Sequence, residues 1–279
     1  MINKSTIDLI KNEYLQGKSI LEIEKLTNVS GVGIREILKR LNIYKSKQNK
    51  DIIKYGNNLN FFNKIDTEEK AYWLGFIYAD GYVVEQKNKY AYRFGIELSI
   101  KDLNHLQKLA NIFNRKLSIK IRSSQICQSK EIKNFEMVNL TINNKTVWTD
   151  LQQNGISIRK TLNPDLTIFT KFEKKLLPHF IRGVFDGDGS IVKNSEMFIL
   201  NGNKDFLIEV QKILVSELKL KLKFTKIFLD QGNGYKLYYG GRLQIKKIYN
   251  WLYNNSLVFL ERKKYIFEEI IERLYNNEK

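Results

Sequence analysis

The chain has 279 residues, 43% of them hydrophobic, and a formal charge of +17 from 47 Lys and Arg against 30 Asp and Glu. That apolar content supports a sizeable core and excludes a disordered chain, while the charge favours a polyanionic partner, nucleic acid first. The single Cys127 excludes an internal disulfide or a cysteine zinc site, and His105 and His179 are too few for a histidine metal centre, so any metal must take oxygen ligands of the Mg²⁺ type. No apolar run approaches the ~20 residues of a membrane span and no secretory signal is read, so the expected setting is intracellular, without a membrane.

Residues 1–45 carry a trihelical pattern. T6-I-D-L-I-K-N-E-Y-L-Q16 has helical spacing (Ile7, Ile10, Tyr14) and stops at Gly17. Ser19 is placed to cap a second helix, I20–L26, with Glu22 as its capping-box partner. After T27-N-V-S30 a third helix follows over V32–L41. A short turn between the last two resembles the helix-turn-helix of resolvases and repressors, whose second helix would offer Ser30, Arg35, Lys39 and Arg40 to a DNA groove. Residues 46–65 are polar and basic and read as a linker able to track phosphates.

From residue 66 the pattern predicts a helix ending in Y78-A-D-G81, strands over Y82–E85 and Y90–I100, and an amphipathic helix over D102–F113. Strands S118–S123 and F135–I142 and a helix at K145–Q152 complete the set. The same order then repeats. A helix over F172–D188 ends in G187-D-G189, and strands I191–K193 and M197–N201 follow. Next come a helix over D205–L218, strands K223–L229 and Y235–L243, a helix from K246 and a terminal helix over L260–L274. The expected organisation is repeat one at 66–170 and repeat two at 171–279. Two copies of this length predict pseudo-symmetric halves.

In register, W73-L-G-F-I-Y-A-D-G81 lies against I181-R-G-V-F-D-G-D-G189. Gly75 and Ala79 match Gly183 and Gly187, small residues four apart on one helix face. Mid-helix glycine costs ~1 kcal/mol, and close approach of two helix backbones would offset that. A face-to-face helix pair brings Asp80 and Asp188 together at two helix C-termini, where the helix dipole and their mutual repulsion both disfavour carboxylates. A divalent cation removes that conflict. An EF-hand starting at Asp186 is excluded, because Ile191 stands where glycine and Met197 where glutamate is required.

Through these residues, over about 66 to 275, the chain resembles the LAGLIDADG homing endonucleases. L151-Q-Q-N-G155 before R159-K-T161, and L252-Y before L260-E-R-K-K264, are similar too. The resemblance implies an α+β fold of two pseudo-symmetric αββαββα repeats with saddle-shaped antiparallel sheets, joined here to a small all-α helix-turn-helix domain. It implies a monomer that cuts double-stranded DNA at a long asymmetric site. Mg²⁺ would be held by Asp80 and Asp188, next to Ala79 and Gly187, with Asp186 in a supporting role opposite Tyr78. Internal alignment puts a basic residue beside the metals at Lys145 and Lys246. Outward strand positions expected to meet DNA are Lys120, Arg122, Ser124 and Gln128 in one half, and Lys223, Lys226, Lys236 and Arg242 in the other. A non-cleaving binder on the same fold, an intron RNA maturase or a transcription regulator, is the alternative. Retention of both motif acids argues against it.

Overall fold

The structure, a computed structural model, describes residues 2–44, 58–86, 91–125, 132–192, 196–221, 224–229 and 232–276. The chain divides into two compact units, Met1–Lys54 and Tyr55–Lys279.

In the first unit, α1 (Lys4–Leu15), α2 (Ile20–Thr27) and α3 (Gly31–Arg40) each start at a side-chain cap, from Asn3, Ser19 and Ser30 respectively. Ser19 and Glu22 form the full capping box, which satisfies two orphan donors at once. Asn28 turns the chain out of α2 in the left-handed region at φ 52°, and the Gly31 N–H donates to Glu24 Oε1 at 3.0 Å, which ties the start of α3 to α2. Ile10, Tyr14, Ile23, Ile34, Ile37 and Leu38 form the unit's own core.

The second unit holds both repeats. The first runs α4 (Glu68–Asp80), β1 (Gly81–Gln86), β2 (Ala91–Ser99), α5 (Leu103–Ile112), β3 (Ser118–Gln125), β4 (Ile132–Asn143) and α6 (Lys145–Gln153). The second runs α7 (Leu177–Asp188), β5 (Gly189–Val192), β6 (Met197–Gly202), α8 (Lys204–Leu218), β7 (Phe224–Leu229), β8 (Gly232–Tyr239) and α9 (Arg242–Tyr253), before a terminal α10 (Glu261–Asn276). Two antiparallel sheets result, ordered β1-β2-β4-β3 and β5-β6-β8-β7. This is the αββαββα arrangement twice over.

Helices α4 and α7 form the spine. Every residue of α4 from Ala71 to Tyr78 is buried, as expected of a helix apolar all round. A Cβ built on Gly75 would stand 2.0 Å from the Phe180 carbonyl oxygen, and one on Gly183 2.0 Å from the Tyr72 carbonyl oxygen. Glycine at both positions is what lets the backbones touch. Arg182, wholly buried, donates to Glu68 at 2.6 Å and to the carbonyls of Leu252 and Val258, tying the start of α4 to the second repeat.

Strand register separates the faces. Phe94, Ile96, Leu98, Val138, Leu140 and Ile142 of the first sheet, and Phe198, Leu200, Leu237 and Tyr239 of the second, enter the common core. The alternate positions form the opposite face, helix-free among the described residues, and period-2 alternation is the cause. Three boundaries depart from expectation. Residues 58–65 are not linker, because Leu59, Phe62 and Ile65 are buried in the core. Helix α7 starts at Leu177, after a short 3₁₀ turn at Lys174–Leu176, with Pro178 in its first turn. Strand β8 ends at Tyr239, and Arg242 opens α9.

Candidate functional site

Asp80 and Asp188 are the last residues of α4 and α7, and Gly81 and Gly189 begin β1 and β5. The helix contact carries down to this end: a Cβ on Gly187 would meet the Ala79 Cβ at 2.3 Å and Asp80 Oδ2 at 3.1 Å. Asp80 is half-buried and Asp188 exposed. Burial and then the charge of Asp188 push the Asp80 carboxyl up to about 6. Desolvation by the crowded helix ends also raises Asp188, against the pull of Lys160 and Lys263.

Asp186 has a different environment. Buried in α7, it accepts from Tyr72 Oη at 2.8 Å, Tyr253 Oη at 2.6 Å and the Leu260 N–H at 2.7 Å. It ties together both repeats and the approach to α10. Its counterpart Tyr78 stacks on Phe206, with ring centroids 4.2 Å apart. Among the described residues, neither Asp80 nor Asp188 receives a side-chain hydrogen bond of this kind. Two bare carboxylates at one spot, whose charged forms the fold disfavours, fit a hard divalent cation.

Two lysines complete the site. Lys160 Nζ donates to the Gly81 carbonyl at 2.6 Å and to that of Ala79 at 3.2 Å. Lys263 Nζ donates to the carbonyls of Gly189 at 2.6 Å and of Phe185 and Gly187 at 2.9 Å. Each cation satisfies the orphan carbonyls of one helix end and counters its dipole. Burial pulls the Lys263 ammonium down to about 8 and also lowers Lys160, while the aspartates oppose both shifts. Lys145 is exposed on the first turn of α6, 5.2 Å from the Tyr92 ring centre, and Lys246 lies in the second turn of α9 rather than at its start. Repeat alignment favoured helix-start lysines. The lysines that reach the site sit in R159-K-T161 and L260-E-R-K-K264, segments noted in the sequence without a chemical role. A pocket of about 30 Å³ opens beside Asp188, lined also by Lys160, Thr161, Asn201 and Asn203. That is room for a water molecule.

Of the positions expected to meet DNA, Lys120 and Arg122 are exposed and pair in register with Met137 and Phe135, on the helix-free face. Arg122 forms an ion pair with Glu97. Ser124 pairs with Lys133 in the same series. Lys236 is half-buried and pairs with Asn201, on the helix-free face of the second sheet. The backbone of Lys226 pairs with that of Tyr235 in β8, and its side chain lies outside the described residues. Arg242 is helical, not a strand residue. Gln128 and Lys223 lie outside the described residues. In the first unit Ser30, Arg35, Lys39 and Arg40 are exposed, and Lys39 is paired with Glu36 at 2.8 Å.

No family model matches the sequence. Among solved structures, the homing endonuclease I-WcaI bound to its DNA recognition sequence aligns with 79% of this chain and 93% of its own, at 12% identity and a TM-score of 0.53. I-SmaMI bound to an uncleaved DNA target in the presence of calcium ions aligns with 75% and 92% respectively, at 16% identity and TM-score 0.49. The N-terminal LAGLIDADG domain of DUF199/WhiA aligns with 75% and 89%, at 16% identity and TM-score 0.40. The likeness is one of fold: the second unit has the LAGLIDADG fold, two αββαββα repeats packed through their motif helices. No helix among the described residues is long and apolar enough to cross a membrane.

Proposed function

We propose that the chain is a site-specific DNA endonuclease that hydrolyses one phosphodiester on each strand of double-stranded DNA, with a divalent cation such as Mg²⁺ held by Asp80 and Asp188. The observation that carries this is the pair of carboxylates without side-chain hydrogen-bond donors among the described residues, in contrast to the fully bonded Asp186 two positions from Asp188. A bound cation would supply Lewis-acid polarisation of the scissile phosphate and a more acidic water.

The chain's own residues do the rest. Lys160 and Lys263 place positive charge where phosphate charge develops and hold both helix ends rigid. The helix-free faces, with Lys120, Arg122 and Lys236, carry the duplex on either side. The first unit adds groove and phosphate contacts through Arg35, Lys39 and Arg40.

The test is selection of bound and of cleaved duplexes from a randomised library with Mg²⁺ or Mn²⁺. Sequence-specific cleavage by the wild type, with binding but no cleavage by Asp80→Asn and Asp188→Asn, is the expected result. Specific binding without cleavage by the wild type would leave a nucleic-acid binder and refute the nuclease.

A further inference from the structure

The connector between α9 and α10, residues 254–260, forms neither helix nor strand, yet three residues after it Lys263 enters the site. Its backbone groups bond to charged side chains of the spine. Glu68 Oε1 accepts from the Leu257 N–H at 2.7 Å and from the Val258 N–H at 3.4 Å. Arg182, wholly buried, donates through Nε to the Val258 carbonyl at 2.9 Å and through Nη1 to the Leu252 carbonyl at 2.6 Å. Its Nη2 holds Glu68 at 2.6 Å. Asp186 takes the Leu260 N–H at 2.7 Å. Lys263 then leaves the first turn of α10 and grips the far end of α7 through the carbonyls of Phe185, Gly187 and Gly189.

In that order the connector follows a rail of alternating charge, Glu68, Arg182, Asp186 and Lys263. Glu68 is the first residue of α4 and Asp80 the last, about 18 Å apart along the helix at ~1.5 Å per residue. The Leu257 side chain is 80% exposed, so this stretch keeps its place through the bonds of its backbone. Bonds to ionised groups are short and strong, which fixes an irregular segment as apolar contacts there do not. Loss of the Glu68 charge strands Arg182 unpaired in the core and frees two N–H groups of the connector.

Resting on the nuclease reading for its kinetic consequence, we propose that Glu68 and Arg182 are positioning residues for Lys263. From the opposite end of the spine they set where the connector delivers the Lys263 ammonium beside the paired carboxylates. Neither touches the reacting phosphate; both act through Lys263.

The kinetic arm of the test is a double-mutant cycle on a duplex selected by wild-type cleavage, run well below the melting temperature of every variant. Glu68→Gln should slow cleavage roughly tenfold, since a displacement of about 1 Å caused far from the chemistry suffices for such a loss. In the Lys263→Met background the same substitution should change the rate by less than about twofold. Arg182→Lys keeps a charge beside Glu68 but gives up the carbonyl bonds; it should show the same pattern and serves where Glu68→Gln does not fold. The second arm needs no cleavage. In EDTA and without DNA, acylation of Lys263 by an N-hydroxysuccinimide ester, read by peptide mass spectrometry, should rise about tenfold in Glu68→Gln through local opening of the connector. Leu140→Ala, a core truncation in β4, should lower stability and leave that footprint at the wild-type level. Equal proportional slowing in both backgrounds overturns the proposal, as does a Lys263 footprint unchanged in folded Glu68→Gln and Arg182→Lys. A wild type that never cuts removes the nuclease reading, and the footprint then decides the positioning of Lys263 by itself.

Discussion

Gly75 lies against the backbone of Phe180, so close that a Cβ would stand 2.0 Å from its carbonyl oxygen, and the reciprocal contact sets Gly183 on Tyr72. Backbone cannot step aside as a flexible side chain can. Gly75→Ala or Gly183→Ala should therefore destabilise the protein by about 3 kcal/mol or more, lowering Tm by roughly 6–12 °C for a domain of this size. Gly202→Ala, whose Cβ would find ordinary contacts at 3.6 Å, is the control and should melt within a degree or two of wild type. Equal melting of all three would remove the close helix contact as the reason for glycine.

The three aspartates at the end of the spine should separate by stability. Asp186→Asn points an amide at one of three donors and should cost about 3 kcal/mol. Asp80→Asn and Asp188→Asn relieve crowding and repulsion, and in EDTA at pH 7 should match or exceed wild type. Added Mg²⁺ or Mn²⁺ should raise the wild-type Tm and leave both of these variants unmoved. A metal-induced shift that survives in Asp188→Asn would move the cation site elsewhere.

Two groups, half-buried Asp80 and buried His105, oppose each other in acid. Asp80 rises from 3.8 to about 6 through burial and then Asp188. Between those values the folded state holds a proton that the unfolded state has lost, so this group's contribution grows as pH falls. His105 drops from 6.5 to about 4 through burial and then Lys108. Over that window the unfolded state holds the extra proton, so the His105 contribution is lost as pH falls. Over its whole window each contribution changes by about 3 kcal/mol, and the windows overlap. Urea unfolding in EDTA between pH 6.5 and 4 should show Asp80→Asn losing stability more steeply than wild type and His105→Gln less steeply. Parallel curves would contradict both assignments.

The lysine assignment can be decided by kinetics. Lys160→Met and Lys263→Met each remove a cation from the carboxylates and should slow cleavage about a hundredfold or more. Lys145→Ala should cut at close to the wild-type rate, and Lys246→Ala should retain far more activity than either methionine variant. Because burial brings the Lys263 ammonium down to about 8, the wild-type rate should fall on the alkaline side near that pH. A Lys263→Met enzyme with full activity would return the role to the residues favoured by alignment.

Much of this molecule is written locally. The duplicated element order follows from hydrophobic period, and the spine from small residues four apart. The placement of Asp80 and Asp188 follows from their being the last residue of each spine helix, one step from the contact. Such features depend on neighbours along the chain, so the sequence alone determined them. The polar positions that finish the site depend on contacts between distant segments. Lys160 and Lys263 stand more than 70 residues from the carbonyls they hold, on segments with no periodic signal. The strand face of Lys236 turns on a register that composition does not reveal. Asp186 differs from Asp188 only through Tyr72, Tyr253 and Leu260, which come from three separate elements. Those choices were made by the tertiary structure, because burial and hydrogen-bond satisfaction are properties of the packed core as a whole.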